Sequence, residues 1–378
     1  MQGRLEGKAR AWLEALMEPE EAQERVLERL TACYARTSYG REHGVYAGMD
    51  IEEFRSSLPP RGYEGFRPYI ARVLKGDLSS LLVGELSFIG ITSGTSGPPK
   101  AIPITEVDLE HRAGVMASCL AGLASYWHLE GLFGSPCVAP CLPSRVAEVA
   151  IGSKVVPCGY ISGINAEMVA RYFGLEELLR PYIDRINEIG PGIRREDWDR
   201  RFSALLDALD GQNPSIAIGA APVLWMLARW LRREVGKWPK DLWDIRLLLV
   251  AGVPHIMASY ARDLVRAYGR KALLSEAYGA TEGVFAVRLT EEPYLVPFYH
   301  AYLYEVRVGH RIKMLYELKA GELGSIIIST PIFPRYEIGD LVLCHADGLL
   351  FSIPGRDRCL TRARIRLATI LNALASLF

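Results

Sequence analysis

Residues 86–105 read LSFIGITSGTSGPPKAIPIT. Two short β-branched runs flank a loop of glycines and hydroxyls, and Ile102, Pro103 and Ile104 cannot easily continue a helix, so the stretch reads as strand, loop, strand. The loop brings Thr92, Ser93, Gly94, Thr95, Ser96, Gly97 and Lys100 together. Backbone N–H groups, hydroxyl donors and one cation in so short a span suit a polyanion. A flexible polar hairpin turn is the plainer alternative. It is not a Walker loop, which needs glycine directly before the lysine and a helix after it, because Pro99 precedes Lys100. No GxGxxG supports a dinucleotide fold.

Leu5, Trp12, Leu13 and Leu16, then Val26, Leu27, Leu30 and Tyr34, recur at helical spacing on either side of Pro19. Further helical patterns run around 106–130, 166–180, 197–209, 221–235 and 257–268. Between them lie the apolar runs SIAIG at 215, IRLLLVAG at 245 and KALLSEAYG at 271. Buried strands alternating with helices indicate βαβ units and mainly parallel sheets. From 284 to 353 closely spaced strands joined by Gly, Pro and Asp turns predict a smaller, mainly antiparallel, barrel-like β subdomain.

Two further clusters carry chemistry. In Glu276-Ala-Tyr-Gly-Ala-Thr-Glu-Gly283, at the end of an expected strand, Tyr278 can lie against a purine, Thr281 can bond a phosphate oxygen, and Glu282 can hold magnesium directly or through water. A strand-end turn would explain Gly279 and Gly283 alone. In Tyr336-Glu-Ile-Gly-Asp340, followed by Gly355-Arg356-Asp357, a carboxylate at a turn can accept from both ribose hydroxyls while the arginine reaches ribose or phosphate. Gly-Asp turns are also common without any ligand.

The 378 residues suggest two to three folding units at about 150 residues each. The 44 Lys+Arg balance the 44 Asp+Glu, so no global field draws nucleic acid or an anionic membrane, and a compact ligand is expected instead. The seven cysteines form no CxxC, and Cys137 and Cys141 lack a nearby histidine for zinc, which points to free thiols in a reducing compartment. The charged first segment is unlike a signal peptide, and no run of roughly 18 apolar residues occurs. A cytoplasmic location is the expectation.

The order of the motifs resembles the adenylate-forming superfamily of acyl-CoA synthetases, luciferases and nonribosomal adenylation domains. TSGTSGPPK is similar to its phosphate loop, AGVP (Gly252, Val253 and Pro254 among them) to its adenine-side turn, YGATEG to its tyrosine-to-glutamate motif and YEIGD to its ribose-binding aspartate. TSYGREHG and DIEEFRSSLPPRGYEGFRPYIARVLKGD look most like the auxin-responsive acyl-acid amido synthetases, with phenylacetate-CoA ligases next. The resemblance implies an α/β large domain over 1–354, a hinge remnant and short tail over 355–378, and a C-terminal lid that is absent or vestigial. It implies that ATP and Mg²⁺ activate a small carboxylic acid as acyl-AMP with release of pyrophosphate, for transfer to an amine, CoA or a carrier or partner protein. Lys100, Thr95 and Glu282 would then be catalytic, with Glu282 on the metal. A non-catalytic acid- or nucleotide-binding relative is the alternative from another class. The oligomeric state is left open.

Past the hinge, Ala363, Ile365 and Leu367 alternate with arginines and predict a strand before a short helix. Cys359 is placed like the acyl-accepting cysteine of bacterial luminescence acyl-protein synthetases, though cysteine is more often a small buried hydrophobe. His255 follows the AGVP turn and is the histidine nearest the inferred nucleotide. Across 216–231, Val223, Leu224, Met226, Leu227, Trp230 and Leu231 offer an apolar acid pocket, or simply the buried face of a core helix.

Overall fold

The computed structural model describes residues 2–92, 100–129, 131–133, 136–253, 255–359, 361, 362 and 365. Helices α1 (Gln2–Met17) and α2 (Pro19–Tyr34) meet at Pro19, where a missing N–H costs nothing because the first turn has no partner for it. Trp12 is fully buried and donates from Nε1 to the Pro297 carbonyl at 2.9 Å, tying α1 to the far end of the chain. Short α3 (Ser38–Glu42), α4 (Ile51–Ser57) and α5 (Tyr63–Leu74) follow. Asp50 and Glu53 form a reciprocal capping box at the start of α4.

The stretch quoted first is a hairpin, β1 (Leu86–Ile91) against β2 (Ala101–Thr105), with Ile91 opposite Ala101. Thr105 ends β2 and caps α6 (Glu106–Tyr126), accepting from the Asp108 N–H at 3.2 Å. A second hairpin, β3 (Ala147–Ile151) and β4 (Lys154–Tyr160), completes a sheet of order β2-β1-β4-β3 in which β1 and β4 are parallel. Most β3 residues are exposed, so it shows no apolar run by which to be recognised.

The single helix expected around 166–180 is two, α7 (Ile161–Tyr172) and α8 (Glu176–Ile189), because Gly174 takes φ +70° between them. After α9 (Arg195–Ala208) comes the predicted alternation: β5 (Ile216–Ala220), α10 (Ala221–Glu234), β6 (Leu247–Ala251), α11 (Ile256–Ser259), α12 (Ala261–Tyr268) and β7 (Leu273–Ala280). Strands β5, β6 and β7 pair in parallel. β8 (Gly283–Val287) and β9 (Val296–Pro297) then add antiparallel to the same sheet. Residues 284–287 therefore leave the expected β subdomain, and both sheets read as mainly parallel are mixed. The turn at Thr281-Glu282 is too short for a parallel crossover.

The remaining strands are β10 (Leu303–Val308), β11 (Arg311–Met314), β12 (Leu323–Ser329), β13 (Tyr336–Ala346) and β14 (Leu350–Arg356). They form an antiparallel sheet of order β11-β10-β12-β13-β14, whose edges at β11 and β14 distinguish it from a closed barrel. Beyond it, Thr361, Arg362 and Ile365 are helical and the Arg362 N–H bonds the Arg358 carbonyl at 3.0 Å, where a strand was expected, while Ala363, Leu367 and the short helix expected after them lie outside the described residues. An alternation so short fits either period.

One core joins α1, α2, α4, α5 and β10 to β13, and a second lies between α8, α9, α10, α12 and β5 to β7. Leu224, Leu227, Trp230 and Leu231 lie in that second core, so the helix-core alternative is the correct one for them. Met226 is exposed and Val223 only partly buried. Among the described residues, no helix is long and apolar enough to cross a membrane.

Candidate functional site

The loop's two ends are tied together. The Lys100 N–H donates to Thr92 Oγ1 at 2.9 Å and the Thr92 N–H to the Lys100 carbonyl at 3.2 Å, which closes the mouth of the hairpin. Ser93, Gly94, Thr95, Ser96 and Gly97 lie outside the described residues, as does Pro254. Lys100 projects its ammonium to 5.2 Å from the centre of the Tyr63 ring and 3.4 Å from the Tyr336 hydroxyl. A cation against an aromatic face is attracted by the ring quadrupole, so Tyr63 helps set the direction of the lysine. The backbone of Arg61 pairs with Tyr336 and accepts from the Glu337 N–H at 2.9 Å, which brings the RGY segment and β13 side by side.

Tyr336 is buried, and the Glu282 carboxylate is near enough to act on its hydroxyl electrostatically. Burial first, and then the negative charge of Glu282, push the Tyr336 phenol far above its ordinary range, so it stays protonated. Lys100, Tyr336 and Glu282 thus lie near one another, assembled from residues far apart in sequence. Glu282 is itself buried on the turn between β7 and β8. Beneath that turn, Arg112 of α6 donates to the Thr281 carbonyl at 2.9 Å and to the Glu282 carbonyl at 3.0 Å. Asp108, one helical turn earlier, pairs with Arg112 at 2.6 Å, and both side chains are almost wholly buried.

The second part of the site stands on β13 and β14. Asp340 lies opposite Arg356 in register, with Oδ1 at 3.3 Å from Arg356 Nε. Gly339 takes φ +88°, which turns the chain just before the aspartate and lets Arg356 Nη1 reach the Ile338 carbonyl at 2.6 Å. Tyr278 of β7 donates its hydroxyl to Asp340 Oδ2 at 2.9 Å, bridging the two sheets. Burial raises the Asp340 carboxyl above its usual range, opposed by the Arg356 charge and the Tyr278 hydrogen bond. The Tyr278 phenol is pushed far up by burial and then by Asp340.

Thr92, Lys100, Tyr278, Thr281, Glu282, Asp340 and Arg356 therefore fall in neighbouring parts of the fold, most of them at or near strand ends. Gly279 is exposed beside Tyr278, where the β7–β8 pairing slips by a bulge. Gly252 and Val253 follow β6, whose last pair with β7 is Val250 with Glu276, so that turn sits level with Tyr278. Val253 packs on the second core, and His255 carries φ +59° without a described contact to the cluster. Cys359 is exposed. Reading by motif assigned roles to the acidic and basic ends but missed Tyr63, Tyr336, Asp108 and Arg112. An acid and a base four residues apart near the start of α6 are the signal for the last two, though Glu106 and Glu110 beside them blur it.

With this geometry in view, the likeness to known proteins is specific. Residues 9–135 match the GH3 family N-terminal domain. The resemblance to the adenylate-forming superfamily holds. Indole-3-acetic acid-amido synthetase GH3.15 of Arabidopsis thaliana is 37% identical over 136 residues, 35% of this chain and 22% of that protein. Jasmonoyl--L-amino acid synthetase JAR4 of Nicotiana attenuata is 32% identical over 90 residues, 23% of this chain and 16% of that protein. The chain thus matches about a fifth of the length of these curated relatives. Two solved structures share the fold over most of the chain. The acyl acid amido synthetase AtGH3.15 in complex with 2,4-DB superposes with TM-score 0.69 at 19% identity, covering 93% of this chain and 71% of its own. A 2-hydroxyisobutyryl-CoA ligase with bound 2-HIB-AMP gives 0.61 at 17%, covering 90% and 68%.

Proposed function

We propose that the chain activates a carboxylic acid, aromatic or apolar, as its acyl-AMP at the expense of ATP, releasing pyrophosphate and handing the acyl group to an amine, a thiol or a partner protein. The observation that supports this reading is the convergence of Lys100, Tyr336 and Glu282 with Tyr278, Asp340 and Arg356, in a fold shared with an acyl acid amido synthetase and an acyl-CoA ligase.

Each group has a task matched to its chemistry. Lys100 and the loop that begins at Thr92 hold the triphosphate, the ammonium drawing charge off the departing pyrophosphate. Glu282 would hold magnesium, which when bound neutralises phosphate charge and needs few protein ligands because water and phosphate oxygens supply the rest. Tyr336 accepts from Lys100 and so helps aim the ammonium. Asp340 accepts from the ribose hydroxyls, Arg356 reaches ribose or phosphate, and Tyr278 packs against the base. The work is positioning for in-line attack of the acid on the α-phosphorus, with no covalent protein intermediate. A cytoplasmic location fits this use of ATP.

Acid-dependent exchange of labelled pyrophosphate into ATP, run across aryl acids, fatty acids and amino acids, tests the reading. Exchange stimulated at least about tenfold by an aryl or apolar acid over any zwitterionic amino acid is expected, since an unpaired buried ammonium is costly. Nucleotide binding with no exchange for any acid would leave a binding protein instead.

A further inference from the structure

On the side of α6 away from the Thr281–Glu282 turn, α1, α2, α6 and α7 border an open cavity of about 640 Å³ that the proposed reaction does not use. His111 and His300 line it, and His111 Nε2 and His300 Nδ1 are buried without a hydrogen-bond partner. Lys8 and Arg29 also line it. Arg29 donates to the Ala301 carbonyl at 2.7 Å, and among the described residues neither cation has a carboxylate at ion-pair distance. Arg171 is already neutralised by Glu106 at 2.8 Å, and Glu110 is exposed. Leu109, Met168 and Pro331 supply apolar wall.

The hydrogen-bond network says what is missing. Ser118 donates its hydroxyl to the Gly114 carbonyl at 3.1 Å, so toward His300 Nε2, 3.0 Å away, the serine oxygen accepts and Nε2 carries the proton. Nδ1 is then left as a bare lone pair, buried in the cavity wall. Burial first, then Lys8 and Arg29, hold the His300 imidazole down to about 3, and burial, Arg29, His300, Arg112 and Lys8 depress His111 as well. An unpartnered ring nitrogen beside two uncompensated cations is completed by an anion arriving with a proton.

We propose that this cavity binds a metabolite-sized anion with an apolar body, its carboxylate or phosphate held between Lys8 and Arg29, where its charge favours protonation of the neighbouring His300 ring. The volume suits such a ligand. Nothing in the proposal depends on acid activation, because the readout is local to these imidazoles.

The test follows the ring C–H proton signals of His111 and His300, assigned with His111→Asn and His300→Asn, while the full chain is titrated with benzoate, phenyl phosphate or inorganic phosphate. Saturable shifts of both signals by benzoate or phenyl phosphate are expected, with affinity rising as pH falls. The tighter of the two probes identifies the head group. Lys8→Gln and Arg29→Gln should each weaken binding roughly tenfold. Absence of a saturable shift with either aromatic probe, unchanged affinity in both variants, or inorganic phosphate binding as well as phenyl phosphate would overturn the proposal.

Discussion

Glu282 and Asp340 are both carboxylates of the candidate site, yet the first stands on a braced turn and the second near the edge of a sheet. Arg112 holds both carbonyls of the Glu282 turn from below, and the Asp108–Arg112 pair beneath it is almost wholly buried. Asp340 instead leans on Arg356, a nearly half-exposed arginine at the end of edge strand β14. A second buried pair, Glu305 with Arg335 at 2.8 Å, stiffens β10 and the approach to β13 but stops short of the Asp340 turn. The contrast teaches that phosphate and metal would meet a preformed wall, while the ribose would be gripped by a more solvent-screened one.

Breaking the braced side should have the largest effect. Asp108→Ala leaves Arg112 buried without its partner, and a loss of about 3–5 kcal/mol in chemical denaturation is expected. A change under about 1 kcal/mol, the range of an exposed pair, would erase the distinction between the two sides. Next comes Glu282→Gln, which keeps size and most hydrogen bonding but removes the charge. Pyrophosphate exchange should fall on the order of a hundredfold, and raised magnesium should recover part of it because the defect is in metal occupancy. A fall that magnesium does not touch would move Glu282 from metal holder to structural brace.

The Asp340 side gives the smallest effect, and its sign is opposite. Because burial raises the Asp340 carboxyl, the folded state binds its proton more tightly than the unfolded chain. Its stabilising contribution is therefore complete below the ordinary aspartate range and is lost as pH rises through the raised value. Asp340→Asn should make the protein slightly more stable at neutral pH and leave it unchanged in acid. A variant less stable at neutral pH would show that the Arg356 contact outweighs desolvation.

The same contrast explains what could be read from the sequence. β6 is buried on both faces and β5 and β7 are buried or partly buried along the runs IAIG and LLSEA, so these and LLLVA stand out as apolar runs, and the hairpin of β1 and β2 is announced by Pro103 and the glycine-hydroxyl loop. β3 is exposed and left no such trace. Among site residues, those at turns were legible, since Glu282 and Asp340 each follow a glycine-marked bend. Tyr63 and Tyr336 were not, because a buried tyrosine looks like core until tertiary structure sets the Tyr63 ring and the Tyr336 hydroxyl beside Lys100. The apolar face of α10 failed in the converse way, as core packing and a ligand pocket write the same spacing.

The most direct measurement is the affinity of ATP and of AMP for the wild type, Lys100→Ala and Asp340→Ala, by calorimetry under one set of conditions. Lys100→Ala should weaken ATP by roughly ten- to a hundredfold, the value of one charge-assisted hydrogen bond of about 1.5–3 kcal/mol, and leave AMP close to wild type. Asp340→Ala should weaken both alike, because both carry the ribose. Equal losses of ATP and AMP in Lys100→Ala, or normal AMP binding in an Asp340→Ala protein that has lost ATP, would contradict the division of the site into a phosphate wall and a ribose wall.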